Sequence, residues 1–145
     1  MNQRMERDEY FMSIAKLTAL RATCLRKKVG AVAIKDNRIV MSGYNGSPSG
    51  AKHCSEIGCL LYENHCIRCV HAEANIIYQC AKEGISLKGA KIYCTVEPCY
   101  ICLMAMISAG ITEVLFEEER IDSRTNPELY HLIKFTRLKN GNGII

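Results

Sequence analysis

Between residues 71 and 116 the sequence switches back and forth between two periodicities, and this alternation restricts the fold more than any other feature. Ala72, Ile76, Ile77 and Cys80 recur at helical spacing in a segment that opens at His71 and stops near Gly84. Residues 91–95 are short and β-rich, as a strand requires. Pro98 stands where the first turn of a helix favours proline, and Ile101, Leu103, Ala105, Met106 and Ile107 carry that helix to Gly110, a C-terminal cap. Residues 112–116 read as another strand. Strands alternating with helices predict an α/β fold, a three-layer α/β/α sandwich with a central sheet flanked by helices.

The flanking segments extend this pattern. Phe11, Ile14, Ala15, Leu17, Thr18 and Ala22 predict a first helix over residues 8–25. Residues 29–34 and 39–44 predict a hairpin with its turn at Lys35-Asp36-Asn37-Arg38. Residues 126–137 predict a last helix, and the Gly141-Asn142-Gly143 tail should be loose. Residues 45–70 have no clean period and are rich in Gly, Ser, Pro, Cys and His. So long a loop inside a compact domain is functional or tied down. The 145 residues, without internal repeats, are read as a single domain, 1–145, with a Cys/His-rich insertion at about 45–70.

Composition narrows the function. A net charge of +4 suits an anionic small ligand but is too small for bulk nucleic-acid binding. No apolar run is long enough for a membrane span, and Met1 to Asp8 lack the apolar core of a signal peptide. The expected location is the reducing cytoplasm. There, nine cysteines point to metal ligands or core residues rather than disulfides.

Two patches carry chemistry: His71-Ala72-Glu73 and Pro98-Cys99-Tyr100-Ile101-Cys102. Cys99 and Cys102, three apart at a helix start, face one side, and the helix N-terminus favours their thiolates. With His71 at the start of the other helix, they form a set that suits zinc and leaves a fourth position for water. Such a metal lowers the pKa of its water to roughly 7. Glu73 is placed to take a proton from that water and pass it to a substrate nitrogen.

This pair of motifs resembles the cytidine and deoxycytidylate deaminase superfamily, over about residues 7–118. Three features resemble its deoxycytidylate (dCMP) deaminase branch: Arg26-Lys27-Lys28-Val29-Gly30-Ala31-Val32, Gly43-Tyr44-Asn45-Gly46 with Ser47-Pro48, and Asn75 after Glu73. The long insertion before His71 is similar too. The resemblance implies a sheet of mixed strand directions and hydrolysis of dCMP to dUMP: water attacks C4, Glu73 protonates N3 and then the leaving amine, and ammonia departs. It implies that Asn45 bonds the sugar, that Arg26 contacts the 5′-phosphate, and that Ala72, Thr95 and Glu97 hold the base. It further implies allosteric control by dCTP and dTTP with Mg²⁺, and a homo-oligomer, a hexamer. Glu97 before Pro98-Cys99 departs from the dCMP pattern and is commoner among tRNA-adenosine and guanine deaminases. Those substrates and free cytidine therefore stay open.

The insertion holds little apolar material, and a structural zinc would stabilise it directly. The resemblance implies a second zinc using the Cys24 position. The expected ligands are Cys24, Cys54, Cys59 and Cys66, with His65 as substitute. Cys69 is expected beside His71, while Cys80 and Cys94 fall at core positions. Two other classes compete. A zinc-stapled interaction module would need four ligands at every metal and gives Glu73 no use. A nucleic-acid deaminase would need a broad basic face with exposed aromatics, and this chain has no Trp.

Overall fold

A computed structural model describes residues 3–139; the Gly141–Gly143 tail lies outside them. Helix α1 (Arg7–Ala19) is followed by strands β1 (Gly30–Lys35) and β2 (Arg38–Tyr44). The insertion contains a short helix α2 (Cys54–Ile57) and a small hairpin of β3 (Leu61–Tyr62) and β4 (His65–Cys66). Helix α3 (Ala72–Glu83), strand β5 (Lys91–Val96), helix α4 (Tyr100–Ser108) and strand β6 (Glu113–Glu118) then alternate as expected. The chain ends in a 3-10 turn (Pro127–Leu129) and strand β7 (Lys134–Arg137).

The five-stranded sheet runs β2-β1-β5-β6-β7. The pairs β2/β1 and β1/β5 are antiparallel, and β5/β6 and β6/β7 are parallel, so the sheet is mixed. Period-two alternation sends successive side chains to opposite faces. Val32, Ile34, Tyr93 and Leu115 pack with Phe11, Met12 and Ala15 of α1. Ala31, Ala33, Ile92, Cys94, Val114 and Phe116 pack with Ile76 and Cys80 of α3 and Leu103 and Met106 of α4. The result is the three-layer sandwich, with Cys80 and Cys94 in its core.

Two close approaches need glycine. A Cβ on Gly30 would lie 2.1 Å from the Ala15 carbonyl of α1, and one on Gly43 would lie 2.6 Å from the Ala72 carbonyl at the start of α3. The hairpin turn forms as expected, with Asp36 and Asn37 both at positive φ, as a two-residue primed turn requires.

Three expectations are corrected. The first helix ends at Ala19 rather than 25. Pro98 precedes α4 instead of entering its first turn, and Cys99 is the N-cap. Residues 126–137 are not a helix. Asn126 caps a single turn by accepting from the Glu128 N–H, and residues 134–137 then pair in parallel with β6. Ile133 and Phe135 pack against the core from this edge.

Candidate active site

The two chemistry-bearing patches meet because β5 ends between two helix starts. His71 is the N-cap of α3, Cys99 the N-cap of α4, and Cys102 lies in the first turn of α4. His71 Nδ1 is 3.5 Å from Cys99 Sγ and 3.4 Å from Cys102 Sγ. Zinc–ligand bonds of about 2.0–2.3 Å give a tetrahedron with edges of roughly 3.3–3.8 Å, so the three atoms fit three corners. The Cys102 thiol donates to Cys99, and this with His71 draws the Cys99 pKa down to about 3 against the opposing effect of burial; Cys102 is pushed up in turn. His71 is raised, first by its hydrogen bond with Cys99. Glu73 is 3 % exposed and lies against the thiols of Cys102 and Cys94.

Glu73, His71 and Ala72 line one side of a cavity of about 390 Å³. Arg26, Val29 and Asn45 form a second side, and Asn64, His65, Cys66 and Cys69 of the insertion a third. Asn45 is locked in place: its Oδ1 accepts from the Val29 N–H at 2.8 Å and its Nδ2 donates to the Lys27 carbonyl at 2.7 Å. Arg26 donates to the Asn64 carbonyl at 3.2 Å and has no carboxylate partner among the described residues. Neighbouring Lys27 does have one, in Glu118.

Two residues expected at the base are elsewhere. The Thr95 hydroxyl accepts from the Gly30 N–H at 3.1 Å, and Thr95 does not line this cavity. Glu97 does not line it either; its carboxylate takes the Arg120 N–H at 2.9 Å and the Tyr130 hydroxyl at 3.1 Å. Thr95 alternates away from the site along β5, and Glu97 is consumed by hydrogen bonds of its own. Conversely, Arg120, Asp122 and Arg124 do line the cavity. Asp122 accepts from both guanidinium groups, at 2.8 and 3.1 Å. Burial opposes its ionisation, but these arginines hold its carboxyl well below the usual range. No motif in the sequence announces this segment.

The second cluster consists of Cys24, Cys54, Cys66 and Cys69, whose sulfurs all lie within 4.8 Å of one another. Cys54 Sγ is 3.5 Å from Cys66 Sγ and 3.4 Å from Cys69 Sγ. The expected Cys59 is replaced by Cys69, and His65 is outside the group. The bend after β4 folds Cys66-Arg68-Cys69 onto α2, while Cys59 stands beside the group, 3.9 Å from Cys24. Burial opposes ionisation of Cys66, yet N–H groups from Arg68 and Cys69 and the Cys54 thiol bring its pKa to about 6.

Residues 5–118 match the family described as the cytidine and deoxycytidylate deaminase zinc-binding region. ComE operon protein 2 of Bacillus subtilis is 43 % identical over 132 residues, covering 91 % of this chain and 68 % of that protein. The deoxycytidylate deaminase of Mycobacterium phage D29 is 43 % identical over 123 residues, covering 77 % of this chain and 94 % of that one. The crystal structure of a dCMP deaminase from the cyanophage S-TIM5, in complex with dCMP and dUMP, superposes with a TM-score of 0.81 at 28 % identity, covering 94 % of this chain and all of the other.

Proposed function

We propose that this chain, which belongs to the cytidine and deoxycytidylate deaminase family, hydrolyses dCMP to dUMP and ammonia. The observation that carries the reading is the convergence, in one cavity, of His71 with its Cys99 and Cys102 partners, the buried Glu73 carboxylate, and the unneutralised Arg26 guanidinium. The D29 relative is named for this activity, and the S-TIM5 structure contains both substrate and product.

His71, Cys99 and Cys102 would hold the catalytic zinc, the three ligands the chain brings together there. Zinc there supplies an acidified water for attack at C4 of the cytosine. Glu73 would take one proton from that water and give it to N3, then take the remaining proton from the oxygen now bonded to C4 and deliver it to the amine, so that the C4–N bond breaks, the C4 carbonyl forms and ammonia leaves. The Ala72 backbone at the start of α3 orients the base. Asn45 Nδ2 keeps one hydrogen beyond its bond to Lys27 and offers it to the sugar. The Arg26 fork receives the 5′-phosphate, for which it needs no carboxylate partner. We assign no such role to the Thr95 and Glu97 side chains, which bond within the fold.

A second, structural zinc would be held by Cys24, Cys54, Cys66 and Cys69. Four soft ligands, all within 4.8 Å of one another and with Cys54 at 3.5 and 3.4 Å from Cys66 and Cys69, suit a closed tetrahedral site. Control by dCTP and dTTP with Mg²⁺, and a hexameric assembly, rest on the family resemblance; the exposed Ile101 and Met104 of α4 also favour an assembly face. A cytoplasmic location suits the nine free cysteines. Among the described residues no helix is long and apolar enough to cross a membrane.

Ammonia release from dCMP, CMP, deoxycytidine, guanine and a tRNA anticodon stem tests the substrate. dCMP should be turned over with the highest kcat/KM. Preference for guanine or the tRNA stem would replace the reading.

A further inference from the structure

All four polar groups of Glu97 bond to the segment that follows β5 in the sheet. Its N–H donates to the Glu118 carbonyl at 2.8 Å, and its carbonyl accepts from Arg120 Nε at 3.2 Å. Its carboxylate takes the Arg120 N–H on one oxygen and the Tyr130 hydroxyl on the other. From Arg120 the connection runs through Asp122 to Arg124, whose carbonyl accepts the Tyr100 N–H at 3.0 Å. The circuit thus leaves the chain two residues before Cys99 and returns one residue after it. The enclosed segment supplies Arg120, Asp122 and Arg124 to the cavity wall.

We propose that Glu97 is a positioning residue: its side chain anchors residues 119–124, which line the cavity, and so determines nucleotide affinity. This rests on the deaminase reading of the same cavity. It also gives the Glu-Pro-Cys sequence of this chain a meaning unrelated to base identity. A buried carboxylate suits the position because two donors, one N–H and one O–H, converge on it.

The test uses the zinc-loaded full chain with Glu97→Ala, Glu97→Gln and Tyr130→Phe, reading KM and kcat for dCMP, zinc content, and hydrogen exchange of the 119–124 amides. Glu97→Ala should raise KM about tenfold with little change in kcat, retain zinc, and speed exchange in 119–124. Glu97→Gln should recover most of the affinity, since its amide oxygen still accepts from the Arg120 N–H while its NH₂ turns to the Tyr130 oxygen. Tyr130→Phe, which deletes the hydroxyl on Glu97 and leaves the Arg120 N–H bond in place, should shift KM the same way by less, and decides the matter if the alanine variant does not fold. Unchanged KM and exchange would overturn the proposal. So would a fall in kcat accompanied by zinc loss, which would put Glu97 at the metal instead. If the parent chain does not turn over dCMP, the deaminase reading fails, and exchange in 119–124 still judges the anchoring.

Discussion

Asn45 serves fold and site with one side chain. Its amide bridges the Val29 N–H and the Lys27 carbonyl, which fixes the backbone leading out of Arg26 at the cavity edge. Arg26 itself meets only a carbonyl, the arrangement expected of a cation reserved for an anionic ligand. Arg26→Ala should therefore raise KM for dCMP by about ten- to a hundredfold, the loss of a charge-assisted pair, and leave deoxycytidine kinetics nearly unchanged. Parallel changes for both substrates would contradict a phosphate contact. At this scale His71, Cys99 and Cys102 could be picked out in the sequence because zinc demands a few residue types at fixed spacing, whereas the second cluster brings in Cys69 where Cys59 was expected. The expected contacts of Thr95 and Glu97 were not secured in the same way, since nothing local says whether a polar side chain meets substrate or another part of the fold. Arg120, Asp122 and Arg124 were invisible for that reason: they reach the cavity through hydrogen bonds with residues distant in sequence.

Among the elements, the glycine at position 43 lets the start of α3 lie directly on β2, and this approach aligns His71 with the start of α4. The central alternation was legible because each element buries a face at its own period. The C-terminal segment misled for a definite reason. Asn126-Pro127 is a genuine helix-start signal, and the structure uses it for one turn. Propagation then stops because Ile133, Phe135 and Thr136 gain more by adding a strand beside β6, a pairing no local pattern announces. The insertion is similar. No residue of its short helix or hairpin belongs to the two buried apolar clusters, and the proposed zinc at Cys24, Cys54, Cys66 and Cys69 would supply its order. Cys69→Ser should lower the zinc content from about two per chain to about one and destabilise the fold, whereas Cys59→Ser should leave about two. Atomic absorption and thermal melting check both; zinc lost from Cys59→Ser but kept by Cys69→Ser would mean that Cys59 is the ligand after all.

For the whole molecule, the cavity is a junction. The sheet contributes the ends of β5 and β6, the helix layer contributes the starts of α3 and α4, and the insertion closes the side facing Arg26. No single segment forms the pocket, which explains why the reactive group and the Arg26, Asn45 and Ala72 walls were legible in the sequence and the Arg120, Asp122 and Arg124 wall was not. The chemistry converges on Glu73, buried beside the His71, Cys99 and Cys102 set and the group whose role separates an enzyme from a zinc-stapled scaffold. The most direct measurement is ammonia and dUMP formation from dCMP by the zinc-loaded chain and by its Glu73→Gln variant, with zinc content determined on the same samples. The parent should release ammonia and dUMP in equal amounts, and the variant should keep its zinc while losing about a thousandfold or more in kcat. A variant that holds zinc and still turns over dCMP at the parental rate would contradict the account.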